Sequence, residues 1–289
     1  MREKYGHVQA WSLEFEVETL CRVLGVSRSG YYRFTKGKTY VPSPLKEKKW
    51  RALQAAFLRH KRRYGSRRLQ AELAAEGVKA GRHQIRKNMR DMGLKAIQPK
   101  SFVPRTTQSG HGKRHSPNLL LEQALPDGVN QVWISDITYL PLVTGDFAYL
   151  VTWMDLFSRK IVGWRVDRHM EEGLVIEALQ KGLQTRRPAP GLILHSDRGG
   201  QYVSGNLRLL LKKWECDQSM SRADEVYDNA FAESLFSRLK AELLENGVFL
   251  SVDDARTEIF EYIETYYNPV RRHSALGYES PDGFEKKYH

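Results

Sequence analysis

At 289 residues the chain is long enough to bury a substantial core, as one large domain or as two to three small ones. Its 46 Lys and Arg against 34 Asp and Glu leave a formal charge of +12, and its two cysteines, Cys21 and Cys216, cannot by themselves make a disulfide framework or a zinc site. No signal peptide and no apolar run of membrane length is visible, so a cytoplasmic protein without a membrane partner is expected.

The charge is unevenly spread. Residues 45–115 hold 20 Lys and Arg against 4 Asp and Glu, whereas residues 116–289 are net acidic. A basic block beside an acidic one suggests a nucleic-acid-binding module joined to a domain of another kind. A solvated basic surface without a partner is the alternative, at the cost of strong self-repulsion.

The first element is Val17–Phe34, where Val17, Leu20, Val23 and Leu24 have helical spacing. Gly25 breaks the run and Ser27 is an N-cap for a second short helix. The rhythm is that of a helix-turn-helix or of a plain helical hairpin. Lys36–Lys46, with Pro42 and Pro44, reads as a linker. Leu45–Leu94 reads as helical: a first helix through Ala52, Ala55, Ala56 and Leu58, a second capped by Ser66 and running through Leu73, and a third over His83–Met92. In the third, Ile85 and Met89 point inward and Arg82, Arg86, Lys87 and Arg90 outward. A basic helix after a turn is the pattern of a recognition helix in a DNA major groove. Arg67 and Arg68 join this candidate face, and all of these residues can equally contact the backbone. Lys95–Pro126 is polar and proline-bearing, an inter-domain linker whose histidines read as solvated.

From Val129 the pattern changes to mixed strands and helices. Val132–Leu140, Phe147–Asp155 and Ile161–Val166 read as three consecutive strands. Then follow a helix over Glu172–Thr185, a strand at Leu192–His195, a helix at Asn206–Trp214, a short strand at Asp217–Ser219, and helices over Asn229–Glu245 and Val252–Tyr267. The Asn229–Glu245 helix has Phe231, Leu235, Leu239 and Leu243 on one stripe, with Glu233 and Lys240 two turns apart off it.

Val132–Leu140 is almost wholly apolar or β-branched, as a strand buried on both faces is. Asp136 in its middle is costly to bury unless paired, hydrogen-bonded or bound to a cation. The strand at Leu192–His195 delivers Asp197 into Ser196-Asp197-Arg198-Gly199-Gly200. Sixty residues lie between Asp136 and Asp197, and thirty-five between Asp197 and Glu233. Carboxylates gathered from distant segments suit magnesium, and two such ions can serve phosphoryl transfer. Asp155 is either a further carboxylate or the cap of the turn before Ser158. Glu225 and Asp228 lie near Glu233 in sequence, Tyr227 and Asn229 can order the loop before its helix, and His195 reads as a packed strand residue.

Four blocks in order carry a resemblance. Asp136-Ile137-Thr138-Tyr139, His195-Ser196-Asp197-Arg198-Gly199-Gly200-Gln201-Tyr202, Tyr227-Asp228-Asn229-Ala230-Phe231-Ala232-Glu233-Ser234-Leu235-Phe236 and the tail from Tyr266 to Tyr278, with Ser280-Pro281, resemble DDE transposases and retroviral integrases. Within that superfamily the chain is most similar to the second-reading-frame protein of the insertion-sequence-three (IS-three) family, from about Val17 to Phe284. The resemblance implies an α/β fold: an RNase H-like catalytic core with a mixed five-stranded sheet and flanking helices, preceded by a small all-α helix-turn-helix-like DNA-binding domain. The implied domains are an N-terminal helical segment at 1–40, the basic domain at 45–98, a linker at 99–126, and the core with its C-terminal extension at 127–289.

It also implies a transposase with Asp136, Asp197 and Glu233 as catalytic residues and ligands of two Mg²⁺ (or Mn²⁺) ions. Lys240 then matches a basic position that contacts DNA near the reacting end, with a surface lysine as the plain alternative, and Arg271 holds either DNA or the fold. The implied partners are double-stranded DNA (terminal inverted repeats and target), an upstream reading-frame protein or a fusion with it, and further copies of the chain on DNA. The acidic turn Ala223-Asp224-Glu225-Val226 departs from the family's usual pattern. A nuclease of the same fold without strand transfer, or a non-catalytic DNA-binding derivative, are the other readings.

Overall fold

A computed structural model of the chain describes residues 1–37, 43–98, 115–121, 125–222, 230–244 and 247–288. The acidic turn at Ala223, Glu225, Tyr227, Asp228 and Asn229, and most of the expected 99–126 linker, lie outside the described residues. The chain divides into two compact units, Met1–Ala55 and Ala56–His289. The division falls inside a helix, α4 (Pro44–Arg59), and not at the ends of the proline-bearing segment where the sequence suggests a boundary.

The first unit holds α1 (Arg2–Trp11), α2 (Val17–Val23) and α3 (Arg28–Thr35). Its core is Val8, Cys21, Val26 and Tyr31, with Tyr5, Leu20 and Phe34 packed around it. Ser27 caps α3 as its sequence position predicts, its Oγ accepting from Gly30 N at 3.1 Å. Val23 differs from expectation: it is the last residue of α2, and the turn through Gly25 (φ +62°) leaves it 75% exposed. α1 carries too little apolar periodicity for the sequence to show it.

The second unit begins with the end of α4, then α5 (Ser66–Ala75) and α6 (Arg82–Asp91). Leu69, Leu73, Ile85 and Met89 are buried as α5 packs on α6. The cap of α5 is Gly65 and not Ser66, which is the first helical residue; no side chain caps this helix. In α4 the inward residues of this unit are Ala56 and Phe57, while Leu58 faces solvent.

The sheet contains β1 (Val132–Pro141), β2 (Phe147–Asp155), β3 (Ile161–Asp167), β4 (Ile193–Ser196) and β5 (Asp217–Met220), in the order β3-β2-β1-β4-β5. β1, β2 and β3 form an antiparallel meander, and β4 and β5 continue it in parallel with β1. β1 is therefore central, which explains why its first four residues are buried on both faces.

One face packs Val132, Ile134, Leu140 and Met154 against α9 (Ala230–Leu244) and α10 (Val252–Phe260). The other packs Trp133, Val151, Trp153 and Leu194 against α7 (Glu172–Arg186) and α8 (Gly205–Lys213). α7 crosses β3 so closely that a Cβ on Gly163 would lie 2.2 Å from the Ala178 carbonyl oxygen. After α10 the expected single helix to Tyr267 widens into a π-helical turn over Glu261–Tyr267, and the chain closes with α11 (Pro281–Glu285). An antiparallel meander extended by parallel strands, with helices on both faces, is the RNase H-like arrangement.

Candidate active site

Parallel pairing of β1 with β4 sets the site. The register runs Val132↔Ile193, Trp133↔Leu194 and Ile134↔His195. Asp136 lies in β1 two residues beyond this pairing, and Asp197 lies two residues beyond His195, just past the end of β4 at Ser196; the charge of Asp197 acts on Asp136. Among the described residues the Asp136 carboxylate accepts one hydrogen bond, from Ile137 N at 2.8 Å. Asp197 accepts from Gly199 N at 2.9 Å, the first turn of the glycine-rich loop. A Cβ at Gly199 would stand 3.0 Å from the Asp197 Oδ1, a tight contact.

Under this pair His195 is fully buried between the hydroxyls of Ser219 (2.8 Å) and Ser221 (3.2 Å), as a packed strand residue. On the opposite face of the sheet the Tyr202 hydroxyl meets Ser135 Oγ at 2.7 Å. Asp155 is the cap of its turn, accepting from Phe157 N, Ser158 N and Asn130 N, and so is spoken for by backbone amides.

The third carboxylate comes from α9, which lies on β1 through Ala232, Leu235, Phe236 and Leu239. Phe231, expected on this stripe, is 42% exposed and instead carries the Arg159 guanidinium over its ring at 4.3 Å. Glu233 sits in the first turn of α9 and is exposed. Lys240, seven residues on, is nearly on the same azimuth and half-buried.

Electrostatics tie these groups together. Burial, then the charges of Asp197 and Glu233, push the Asp136 carboxyl up to about 8, while Lys240 and the Ile137 amide act the other way. Burial also raises Glu233 and lowers Lys240, the latter opposed by Asp136. Asp197 and Glu233 thus both add negative charge at Asp136, which Lys240 and the Ile137 amide only partly offset. Among the described residues no three His, Cys, Asp or Glu side chains already stand close enough to share an ion. Asp136 and Asp197 are brought together by the sheet; the approach of Glu233 is set by where α9 sits.

The basic candidates separate into two groups. Arg67, Arg82, Arg86, Lys87 and Arg90 are exposed, the last four along the outer face of α6. Arg271 does not join them. It is 2% exposed and its Nε and Nη2 grip both oxygens of Glu242 at 2.6–3.2 Å, so no edge of its guanidinium is left for a phosphate. Arg68 is also turned inward, donating from Nε to the Arg272 carbonyl oxygen at 2.8 Å. The residues that the sequence reading missed are the partners of these two arginines, Glu242 and Arg272, together with Tyr262 and Glu72, which bond those partners in turn. A charged residue in a basic block gives no local signal that it will be buried.

Residues 44–102 match the HTH-like domain family, and residues 126–225 and 215–281 match the Integrase core domain family. The chain is 38% identical over 286 residues to the transposase InsF of insertion sequence IS3A from Escherichia coli K12, covering 98% of this chain and 99% of that protein. It is 39% identical over 273 residues to a 31 kDa protein of insertion element IS600 from Shigella sonnei, covering 93% and 98%. Among solved structures, the simian T-cell lymphotropic virus intasome in complex with a PP2A regulatory subunit aligns with TM-score 0.42 and 17% identity over 71% of this chain and 66% of that one. The HTLV-2 integrase catalytic core with magnesium aligns with TM-score 0.41 and 15% identity over 54% and 97%.

Proposed function

This chain belongs to the IS3 family of insertion-sequence transposases, and we propose that Asp136, Asp197 and Glu233 are its catalytic residues, acting on the phosphodiester at the element ends. The observation that supports the reading is that the charges of Asp197, Glu233 and Lys240 all act on Asp136, with Asp136 and Asp197 each two residues beyond the β1–β4 pairing. Such a donor set fits Mg²⁺ or Mn²⁺, with Asp136 and Asp197 as the inner ligands and Glu233 completing the set. Two bound divalent ions would supply activation of the attacking oxygen and stabilisation of the leaving one.

The protein's own part is to hold the acids and orient DNA. Asp136 must give up its proton to act as a ligand, and its raised pKa makes that step pH-dependent. Lys240 is placed to meet a phosphate oxygen beside the site. Arg67, Arg82, Arg86, Lys87 and Arg90 present an exposed basic surface that suits the backbone of double-stranded DNA. Cleavage breaks a phosphodiester with water and frees a 3′-hydroxyl; in joining, that hydroxyl attacks a phosphodiester of target DNA or of the opposite end, forming a new bond and displacing the attacked strand's 3′-oxygen, with no covalent protein intermediate. Terminal inverted repeats and target DNA are the substrates in this reading, and the working form is an assembly of several copies, with the upstream-frame product or as a fusion to it.

The test uses labelled duplexes carrying the element's terminal repeats with Mg²⁺ or Mn²⁺, scoring nicking and strand joining separately. Asp136→Asn, Asp197→Asn and Glu233→Gln should each abolish both. Nicking that survives all three substitutions rejects the assignment, and nicking without joining in the unaltered protein assigns a nuclease instead.

A further inference from the structure

Glu242 lies on α9 nine residues beyond Glu233, half a turn around the helix and about 13 Å along it. It is almost wholly buried, and it is the point on which several elements converge. Arg271 grips both its oxygens, the Tyr262 hydroxyl donates to Oε2 at 2.9 Å, and Arg68 Nη1 stands 3.8 Å from Oε1. Arg63 Nε donates to the Glu242 carbonyl oxygen at 3.3 Å and stacks over Tyr266. The segment through Arg63 and α5 is tied again to the chain just after Arg271: Tyr64 accepts from Arg272 N at 2.7 Å, and Arg272 Nε donates to Glu72 at 2.6 Å. All of these residues belong to the second compact unit.

A buried ion pair is a poor way to gain stability, since an apolar pair of similar size commonly does as well or better. What the pair adds is direction. The apolar stripe of α9 holds the helix to β1 but permits rotation and sliding, whereas a two-pronged guanidinium–carboxylate contact fixes azimuth. Rotation of α9 by about 20° would carry a side-chain tip at its roughly 5–6 Å radius by about 2 Å.

We propose that Glu242 and Arg271 are positioning residues for the transposase reaction: their pair clamps α9 from its far end and thereby sets where Glu233 and Lys240 stand relative to Asp136 and Asp197. The clamp is shared with the helices that carry the basic face, because Arg63, Arg68 and Tyr64 close on it from the other side. This inference rests on the catalytic assignment of Glu233.

The experiment uses the full chain with Glu242→Gln, Arg271→Lys, and a double Glu242→Met/Arg271→Met that replaces the pair by apolar side chains. Four quantities are read: thermal midpoint, affinity for an element-end duplex without divalent ion, single-turnover cleavage at saturating DNA over a Mg²⁺ titration, and amide hydrogen exchange along α9. Glu242→Gln and Arg271→Lys should bind DNA within about twofold of the unaltered protein and cleave roughly 100-fold more slowly, the scale of an ångström-sized misplacement. More Mg²⁺ should be needed for half-maximal rate. Exchange around residues 231–237 should quicken while α10 stays protected.

The double variant should recover the thermal midpoint without recovering the rate. If rate returns together with stability, the pair is only structural and the proposal fails. Unchanged exchange at 231–237 in the folded Gln variant overturns it as well. That second readout does not depend on cleavage, so it decides the clamp separately from the catalytic assignment, which Asp136→Asn, Asp197→Asn and Glu233→Gln test.

Discussion

Replacing Asp136 by Asn should make the metal-free protein more stable at alkaline pH and leave it unchanged in acid. In the folded chain this carboxyl titrates near 8, held up first by burial and then by Asp197 and Glu233, against an ordinary value of 3.8. Between those two pH values the folded state keeps a proton that the unfolded state has released. Stability is therefore full below the unfolded pKa and is lost as pH rises through the folded one. A gap of about four pH units at about 1.4 kcal/mol each sets an upper bound of about 6 kcal/mol; relaxation and salt reduce it, and about 2–4 kcal/mol is a working figure.

The assay is urea unfolding of the unaltered protein and of Asp136→Asn in chelator-treated buffer, from about pH 4 to about pH 9. The two curves should coincide at the acid end and diverge by up to about 1 kcal/mol per pH unit through neutrality. Addition of Mg²⁺ should lift only the unaltered protein, because the Asn variant lacks one of the charges that hold the ion. A stability difference that stays constant with pH would refute the account of Asp136 as a desolvated, like-charge-crowded acid.

Three further outcomes follow from the fold. Arg86, Lys87 and Arg90 replaced together by Ala should weaken duplex binding and lower the slope of log affinity against log salt by up to about 3, read in a binding titration; an unchanged slope removes α6 from the DNA surface. Gly163→Ala should destabilise the second unit by about 1–3 kcal/mol or more in urea, since the new methyl group meets the backbone of α7. Ser251→Ala removes the hydroxyl that accepts from Asp254 N at the start of α10 and should cost about 1 kcal/mol with DNA affinity intact.

The parts of this protein that the sequence displays are those with strong local rules. β1, β2 and β3 appear within a residue or so of their bounds because each is an apolar run ended by a turn, and Thr144-Gly145-Asp146 and Ser158-Arg159-Lys160 mark those turns. Ile85 and Met89 against Arg82, Arg86, Lys87 and Arg90 give α6 its two faces. Asp136 and Asp197 stand out because a carboxylate in a two-face-buried strand, or at the mouth of a glycine-rich loop, needs a reason.

What is hidden depends on partners far away in sequence. Arg271 and Arg68 have the same composition signal as Arg86, yet their carboxylate and carbonyl partners lie on other elements, and only the packed chain shows that they face inward. The widened turn at Glu261–Tyr267 is hidden for a similar reason, as its apolar spacing continues that of α10.

The seam between α5 and the C-terminal extension bears on how this protein can be taken apart. The polar stretch before β1 invites a cut, and a fragment starting there would keep every strand of the sheet. It would nonetheless expose Tyr266, Arg272 and the flank of Glu242 by stripping off Arg63, Tyr64, Arg68 and Glu72. The integrase core is thus no free-standing module with a helical head attached by string; the head supplies part of the scaffold's wall.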